Sequence, residues 1–444
     1  MRVLQVITGL GVGGAEQQLR LLLRRLPVSC DVVTLTNPGV VAAGLRADGV
    51  EVLHLGMRGN RDLTALPRLT RLIRRGRYDV VHTHLYRACV YGRIAARLAG
   101  VRAIVATEHS LGRREIEGRP LTRGTRALYL GTERLGSATV AVSDTVAARL
   151  REWGVPARRI HIVPNGVDTA GFGFDAGARR AVRERLGLRP DDFVVCGVGR
   201  LVPGKRFDAV VRAVAALPGA RLLIAGGGPE RDALRALAHR LGAADRIQLL
   251  GECGGEPGPD GGGPWPDKGA VTVPALLSAA DVFVSASREE AFGLAVVEAL
   301  AAGLPVLHLT CPAVDDLPAG EAPGAHRFGG TAQELTALLR QRMAAGAERL
   351  EPPPVVRHYD IARSGARLMD VYAHAVAASA GPGRPVPRIP RPADALAVDA
   401  PNADSLTSTP LASDAPNVDS PPPPDPPKPR TAADDTDQTE RAHS

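Results

Sequence analysis

The chain has 444 residues, of which 44% are hydrophobic and only 3% aromatic, so two or three domains with aliphatic cores can form. The formal net charge is +8; the segment 381–444 holds six basic and ten acidic residues, which leaves +12 on the rest. This excess favours anionic partners such as nucleotides or phospholipid head groups. No apolar stretch approaches the roughly 20 residues that span a bilayer. We find no signal peptide, and the five cysteines lack metal-ligand spacing, so we expect reduced thiols in a cytoplasmic protein.

The first half of the chain alternates strand-like and helix-like segments. We expect strands at 2–8, 31–36, 50–54, 79–82, 103–107 and 138–142, and helices at 15–26, 63–75, 87–98, 121–135 and 144–153. Such alternation predicts right-handed crossovers and a parallel sheet. Ligands of these sheets bind at the carboxyl ends of strands. His82, His84, Glu108 and His109 occupy such ends.

A glycine-rich loop follows the first strand. Residues 9–14 read Gly-Leu-Gly-Val-Gly-Gly and match the G-x-G-x-x-G pattern of dinucleotide-binding proteins. That pattern needs an acidic residue after the second strand to hold a ribose, and here Asn37 occupies the place. A nicotinamide site is therefore disfavoured. Two interpretations remain: a tight turn for close packing, and a loop whose backbone approaches a ligand.

His82 and His84 have the spacing of a metal-ligand pair. No third ligand is evident nearby, so we expect no metal ion. A hydrogen bond at the strand end is the structural alternative to a ligand-binding role for His109.

Two arginine clusters lie in this half of the chain. The first comprises Arg68, Arg71, Arg74, Arg75 and Arg77; the second comprises Arg113, Arg114, Arg119, Arg123 and Arg126. A solvated face is the ordinary explanation, and contact with an anionic membrane surface is the functional one. Nucleic acid is disfavoured because aromatic residues do not interleave with these charges.

A second series of strands and helices begins after the turn-rich stretch 163–174, where we place a domain boundary. We expect strands at 193–198, 221–225, 247–250, 281–286 and 305–309, with helices at 207–216 and 229–241. Gly199, Arg200 and Lys205 follow the first of these strands, and Gly226–Gly228 follows the second. Arg200 can bind two phosphate oxygens, and Lys205 adds a point charge. Ordinary surface charge is the alternative.

Glu290 and Glu298 surround the start of a further helix, expected at 291–302. Glu290 would lie just before this helix and Glu298 about two turns inside it. The backbone amides of Phe292, Gly293 and Leu294 would be unpaired donors of the first turn, which attracts anions. Carboxylates on either side suit a ligand with phosphates and hydroxyls. A solvated helix start explains the same pattern.

The two glutamates are separated by seven residues, and other motifs accompany them. These are Gly13-Gly14-Ala15-Glu16, Thr107-Glu108-His109, the loop 163–168, Gly199-Arg200-Leu201 with Lys205, and the turn 225–229. Their order over roughly residues 1–310 resembles glycosyltransferase family 4, whose members are retaining enzymes of the GT-B fold. The resemblance implies an α/β protein with two Rossmann-like domains whose parallel sheets face each other across a cleft.

The resemblance also assigns roles and segments. His109, Arg200, Lys205 and Glu290 would be catalytic; Gly14, Gly199, Gly227, Phe292, Gly293, Leu294 and Glu298 would bind the donor; Gly13, Glu16 and His84 would lie on the acceptor side. Residues 1–165 would form the acceptor domain, 166–358 the nucleotide-sugar domain, 359–380 a helix packing back across the cleft, and 381–444 a disordered Pro/Asp-rich tail. The substrates would be a nucleotide-diphosphate sugar and a glycan or lipid-linked acceptor, with no cofactor or metal. A location at the inner face of the membrane depends on the arginine clusters, for which a solvated face is the alternative.

The chain departs from the family pattern in two places. A Gly/Pro-rich insertion occupies 252–272, and Thr310-Cys311-Pro312 stands where a Gly-Gly turn and a glutamate are usual. We therefore expect the last strand of the second domain to be weak or lost. Two other functions remain open: a sugar-nucleotide epimerase of the same fold, and a non-catalytic carbohydrate-binding relative.

The tail generates a first prediction. Its composition of Pro, Ala, Asp and Ser cannot bury enough apolar surface to fold. We expect removal of residues 381–444 to leave the melting temperature and turnover nearly unchanged, as calorimetry and a transfer assay would measure. A drop of several degrees would show that the tail docks on the folded part.

Overall fold

The computed structural model describes residues 1–59, 61–112, 115–117, 119–253, 271–346 and 348–379. Most of the 252–272 insertion and all of the 381–444 tail lie outside the described residues. So do Arg113 and Arg114 of the second arginine cluster.

The first half of the chain contains nine strands and six α-helices among its described residues. The strands are β1 (Arg2–Gly9), β2 (Ser29–Asn37), β3 (Glu51–His54), β4 (Val80–His84), β5 (Ala103–Glu108), β6 (Glu115–Ile116), β7 (Arg119–Pro120), β8 (Ala138–Ala141) and β9 (Ile160–Ile162). The helices are α1 (Gly14–Leu23), α2 (Val41–Ala47), α3 (Ala65–Gly76), α4 (Tyr86–Ala99), α5 (Arg123–Glu133) and α6 (Asp144–Trp153).

The second half repeats the alternation. Its strands are β10 (Phe193–Val198), β11 (Ala220–Ala225), β12 (Ile247–Gly251), β13 (Val282–Ser285), β14 (Val306–His308) and β15 (Ala325–Arg327). Its helices are α7 (Ala176–Arg185), α8 (Phe207–Ala215), α9 (Arg231–Arg240), α10 (Val273–Ala279), α11 (Leu294–Ala301), α12 (Pro312–Asp315), α13 (Ala332–Ala345), α14 (Pro354–His358) and α15 (Ile361–Ser379).

Two parallel sheets carry the fold, as predicted. The first has the strand order β3-β2-β1-β4-β5-β8-β9, and the second has the order β12-β11-β10-β13-β14-β15. The strand order reverses next to β1 in the first sheet and next to β10 in the second, and open α/β sheets bind ligands at such switch points. Most predicted site residues follow the strands beside these switches, whereas His109 follows β5 and Gly227 follows β11, each one strand further out. A small antiparallel hairpin, β6-β7, stands apart from the sheets.

The central strands are buried on both faces, as parallel strands covered by helices must be. Val3, Leu4, Val6 and Ile7 of β1 have no solvent exposure. Their apolar run therefore lacks the alternation of a half-exposed strand.

Helix α15 packs against the first sheet although it follows the second in sequence. Tyr372 and Ala375 are fully buried, in one cluster with Val3, Val80 and Val105 of the first sheet. The loop before α15 is held by backbone hydrogen bonds from Val167 to Tyr359 and from Ile361 back to Val167. The last described helix of the chain therefore packs against the sheet that the first residues of the chain form.

Two local predictions need correction. Helix α11 begins at Leu294 rather than 291, because Gly293 takes a left-handed φ of 103° and interrupts the helix. Glu298 consequently lies just over one turn inside the helix, not two. The last strand is short but present: β15 has three residues and pairs in parallel with β14.

Candidate active site

Loops from both sheets meet at one place. The start of α1 and the start of α11 are in contact: a Cβ placed on Gly14 would stand 3.4 Å from Leu294 Cδ1. The loop after β1 therefore faces the loop after β13, as the strand-end rule for open α/β sheets requires.

An ion pair joins the loops after β10 and β13. Lys205 Nζ lies 2.5 Å from Glu290 Oε1, and both side chains are largely covered. Arg200, from the same loop as Lys205, is exposed. Burial raises the pKa of Glu16 in the first domain above its usual value, and the positive charge of Arg200 opposes that shift.

The start of α11 requires glycine at position 293. A Cβ there would stand 2.5 Å from Cys311 Sγ, and the φ of 103° is strained for any residue with a side chain. Phe292 before it is buried and packs edge-to-face on Tyr359 at a centroid distance of 4.9 Å. Within the described part of the chain, the amides of Phe292, Gly293 and Leu294 meet no hydrogen-bond acceptor. They are available to a ligand, as the sequence predicts.

The carboxyl group of Glu298 has no hydrogen-bond or ion-pair partner among the described residues. Burial raises its pKa to about 7. Removal of a carboxylate from water is costly unless donors replace the lost hydration. A ligand hydroxyl would supply such a donor.

Glycines let the loops after β10 and β11 interlock through their backbones. Gly226 has a φ of 137°, and a Cβ on it would lie 1.9 Å from the carbonyl oxygen of Gly199. The next residue, Gly227, accepts a hydrogen bond of 2.8 Å from the amide of Leu201. The backbone on both sides of Arg200, at Gly199 and Leu201, is therefore fixed by contacts with the loop after β11.

The predicted acceptor-side residues divide into two groups. Gly13 lies beside the Glu16 carboxylate, because a Cβ on Gly13 would stand 2.4 Å from Glu16 Oε2. Both residues are partly exposed at the cleft. His84 has different surroundings: the ring is only 1% exposed, and both nitrogens bond inside the protein, to His109 and Gln5. Its place on the acceptor side stays a prediction.

His109 stands above His84 at the end of β5. Its Nε2 lies 3.1 Å from His84 Nδ1, and burial lowers the pKa of His109 to about 4, so the ring is neutral at pH 7. Its other nitrogen, Nδ1, is buried without a hydrogen-bond partner in the described structure. The ring therefore presents an unused hydrogen-bonding atom.

The first domain braces the loop that carries Glu290. Arg149 NH2 forms an ion pair of 2.9 Å with Glu289, and another nitrogen of its guanidinium donates to the carbonyl of Leu111. Ser143 Oγ donates to the carbonyl of Ala291 at 2.7 Å. Sequence analysis missed both contacts, since nothing in the spacing of residues 143 and 149 marks them as partners of a loop so far along the chain.

Two further observations concern metals and membranes. Nowhere in the described ranges do three or more histidine, cysteine or acidic side chains come together in a metal-binding group. Among the helices described, none has both the length and the apolar character needed to cross a bilayer.

Comparison with known proteins agrees with this geometry. The model for Glycosyltransferase Family 4 matches residues 12–170, and that for Glycosyl transferases group 1 matches residues 192–341. The D-inositol 3-phosphate glycosyltransferase of Xylanimonas cellulosilytica is 33% identical over 331 residues, which cover 68% of this chain and 73% of the relative. The protein of the same name from Mycobacterium marinum is 31% identical over 61% of this chain and 57% of its own length.

Solved structures show the same fold. HepE of Anabaena, in complex with UDP-glucose, is 20% identical with a TM-score of 0.68, over 83% of this chain and 98% of that one. Sucrose-phosphate synthase of Thermosynechococcus elongatus is 19% identical with a TM-score of 0.61, over 85% and 98%. The two parallel sheets, the two family models and these relatives agree with one another. The chain therefore belongs to glycosyltransferase family 4, with a second half of the glycosyl transferases group 1 type.

Proposed function

We propose that the protein is a retaining, metal-independent glycosyltransferase that moves a sugar from a nucleotide-diphosphate sugar to a glycan or lipid-linked acceptor. The observation that carries this proposal is the group formed by Arg200, the Lys205–Glu290 pair and the open amides before α11. Cations, unpaired backbone donors and a carboxylate occur there together, which suits a diphosphate attached to a sugar.

The diphosphate would be bound by protein groups alone. Arg200 offers a planar pair of donors, Lys205 a point charge, and the start of α11 the amides of residues 292–294. Because the backbones of the loops that carry these groups are interlocked, the groups can stabilise the charge that develops on the leaving diphosphate. No separate cation is then needed for that task.

The two glutamates would hold hydroxyl groups. Glu298 has no partner in the described chain and would accept hydrogen bonds from the nucleotide ribose. Glu290 would release part of its contact with Lys205 to a hydroxyl of the sugar ring while Lys205 turns to phosphate. His109 would orient the sugar from the first domain.

The reaction would proceed on one face of the sugar. This mechanism is taken over from the resemblance to glycosyltransferase family 4: no described side chain of the site stands out as a covalent nucleophile, and the acceptor hydroxyl would attack from the face that the diphosphate leaves. A departing phosphate oxygen would take the acceptor proton. The configuration at the anomeric carbon would then be retained.

The acceptor has two candidate classes. The basic face of α3 favours a membrane-borne acceptor, whereas the relatives named D-inositol 3-phosphate glycosyltransferase favour a small phosphorylated polyol. Both are anionic, in agreement with the +12 charge outside the tail.

A screen and a product analysis test the proposal together. A panel of nucleotide diphosphates and their sugars would be tested for a rise in melting temperature, since a ligand of the native state stabilises it. The best donor would then be incubated with and without acceptor, and the anomeric configuration assigned by NMR. An inverted product would refute retention, and a donor isomer formed without acceptor would indicate an epimerase.

Replacement of Lys205 by Met should lower turnover by about 10²–10³-fold, because one preorganised charge opposite the leaving group is lost. Arg212→Met, an exposed arginine on α8 of the same domain, is the control and should turn over normally. EDTA should change neither variant nor wild type. Full loss of wild-type turnover in EDTA, restored by a divalent cation, would overturn metal independence.

Glu298→Gln should weaken nucleotide binding by about tenfold, since hydrogen bonds to a charged acceptor are roughly twice as strong. The wild-type carboxyl, with its pKa of about 7, is protonated below that pH. Nucleotide affinity should therefore rise between pH 6 and pH 8, with proton release on binding, and this slope should be absent in the variant. Calorimetry in two buffers of different ionisation enthalpy measures both effects. Glu184→Gln, on an exposed position of α7, should behave as wild type; an unchanged affinity in Glu298→Gln removes this residue from the site.

The basic face of α3 should bind anionic vesicles. Arg74 donates to the carbonyl of Leu98 at 2.7 Å, so Arg71 and Arg75 are the better choice for reversal. Leu63 and Leu98 nearby are 70% and 58% exposed and would add apolar contact. Each basic residue near such a surface contributes about 1 kcal/mol, and the attraction should fall with salt.

The measurement is co-sedimentation with vesicles containing phosphatidylserine. Arg71→Glu with Arg75→Glu should abolish it and leave donor affinity intact. Arg212→Glu with Arg240→Glu, exposed in the second domain, should sediment as wild type. If wild-type protein ignores the vesicles at low salt, a soluble acceptor is favoured.

A further inference from the structure

A chain of buried polar groups lies beneath His109, and the proposed donor site uses none of it directly. The chain comprises, in order of contact, His109, His84, Gln5, Tyr372, His82 and Thr107. Gln5, His82, His84 and Tyr372 are all at most 1% exposed. They come from β1, β4 and α15, so three distant parts of the sequence meet there.

The distances describe a continuous line of hydrogen bonds. His109 Nε2 lies 3.1 Å from His84 Nδ1, and His84 Nε2 lies 2.8 Å from Gln5 Oε1. On the other side, Gln5 Nε2 lies 3.1 Å from the Tyr372 hydroxyl, which lies 2.7 Å from His82 Nδ1. His82 Nε2 ends the line 2.7 Å from Thr107 Oγ1.

Gln5 sets the direction of the protons along one arm. Its Oε1 can only accept, so His84 must carry its proton on Nε2 and accept on Nδ1. His109 must then donate from Nε2, which leaves its Nδ1 without a proton. Burial holds the pKa of His84 well below the usual value and that of His109 at about 4, so both rings have a single proton at pH 7.

The other arm agrees with the same amide orientation. Gln5 Nε2 donates to the Tyr372 oxygen, so the tyrosine hydrogen is available to His82 Nδ1. His82 then donates from Nε2 to Thr107. Every group in the line has one role as donor and one as acceptor. Rotation of the Gln5 amide by half a turn would reverse each step and would put the proton of His109 on Nδ1.

On the His109 side, the line ends at the buried Nδ1 of this ring, which lacks a partner in the described structure. A buried acceptor without a partner destabilises the protein until a donor reaches it. A hydroxyl donor satisfies it, whereas a phosphate oxygen, itself only an acceptor, does not.

We infer that Gln5 is a positioning residue that acts through His84 to fix His109 with its proton on Nε2, so that Nδ1 can only accept a hydrogen bond. Tyr372 of α15 holds the Gln5 amide in the orientation that this requires. With respect to the ligand, the inference rests on the proposed function: His109 would bind a hydroxyl of the donor sugar rather than its phosphate.

Long-range ¹H–¹⁵N NMR on the ligand-free protein tests the proton positions, because protonated and unprotonated ring nitrogens resonate in separate regions. In wild type, His109 and His84 should both be protonated on Nε2. Assignment uses His109→Gln and His84→Gln spectra. A wild-type His109 with its proton on Nδ1 overturns the inference, whether or not any variant folds.

Three variants test the role of Gln5. Gln5→Met keeps the length of the side chain but removes both polar atoms, so His109 should show a mixture of the two tautomers. Gln5→Glu offers His84 two acceptor oxygens when the carboxyl is ionised, so at a pH above the pKa of that group it should restore the Nε2–H form. Cys30→Ala removes only the distant Sγ contact of Gln5, at 3.9 Å, and should resemble wild type. An unchanged His109 spectrum in Gln5→Met overturns the inference.

Turnover provides a second measurement. Supporting contacts of this kind cost about 10–100-fold when lost. Gln5→Met should lower kcat by that factor with the donor found in the screen, Gln5→Glu should recover most of it, and affinity for the free nucleotide diphosphate should stay within about twofold in both. Loss of nucleotide affinity in step with kcat would mean general damage to the fold and would refute a positioning role. If the NMR result holds and wild type transfers no sugar, then the proposed function fails while the proton arrangement stands.

Discussion

The ion pair between Lys205 and Glu290 is the interaction on which the candidate site depends. It joins the loop after β10 to the loop after β13, the two strands that flank the switch point of the second sheet. Both groups are largely covered, so each would be costly without the other. The pair holds a cation and a carboxylate ready beside the open amides before α11. A ligand phosphate can bind Lys205 while a ligand hydroxyl binds Glu290. These new contacts offset the free energy that separation of the ion pair costs.

The first domain stabilises that arrangement from the other side of the cleft. Arg149 holds Glu289, and Ser143 holds the carbonyl of Ala291, so both neighbours of Glu290 are bonded to α6 or its cap. Thr145 adds two hydrogen bonds to Asp316 near the short helix α12. The loop that carries the first glutamate of the motif is therefore shaped by both domains. Any opening of the cleft must break these bonds, which couples access to the site with its geometry.

Much of this could be predicted from the sequence, because parallel strands and crossovers leave a strong alternating pattern. The bounds of α6 and β10 are predicted to the residue, and Gly199, Gly227 and Glu298 follow from their places at strand ends or helix starts. The start of α11 differs from the prediction because Gly293 takes a left-handed φ of 103°, which the residue pattern alone does not reveal. The burial of His84 could not be predicted either: the end of a strand can face the core as well as the cleft, and its partners Gln5 and His109 lie far from it in sequence. The Arg149–Glu289 pair left no local signal.

Helix α15 gives the C-terminal part of the chain a role beyond covering apolar surface. Its apolar side completes the core under β1, β4 and β5, and its Tyr372 hydroxyl lies at the centre of the polar line that ends at His109. A buried hydroxyl with two partners of fixed donor and acceptor roles can occupy that place in only one orientation. Burial keeps the rings neutral, neutrality makes their tautomers specific, and Gln5 chooses between the two tautomers. Burial thus acts on both residues: it raises the pKa of Glu298 to about 7, and it keeps His109 neutral so that its Nδ1 can accept a hydrogen bond. The two residues belong to different domains.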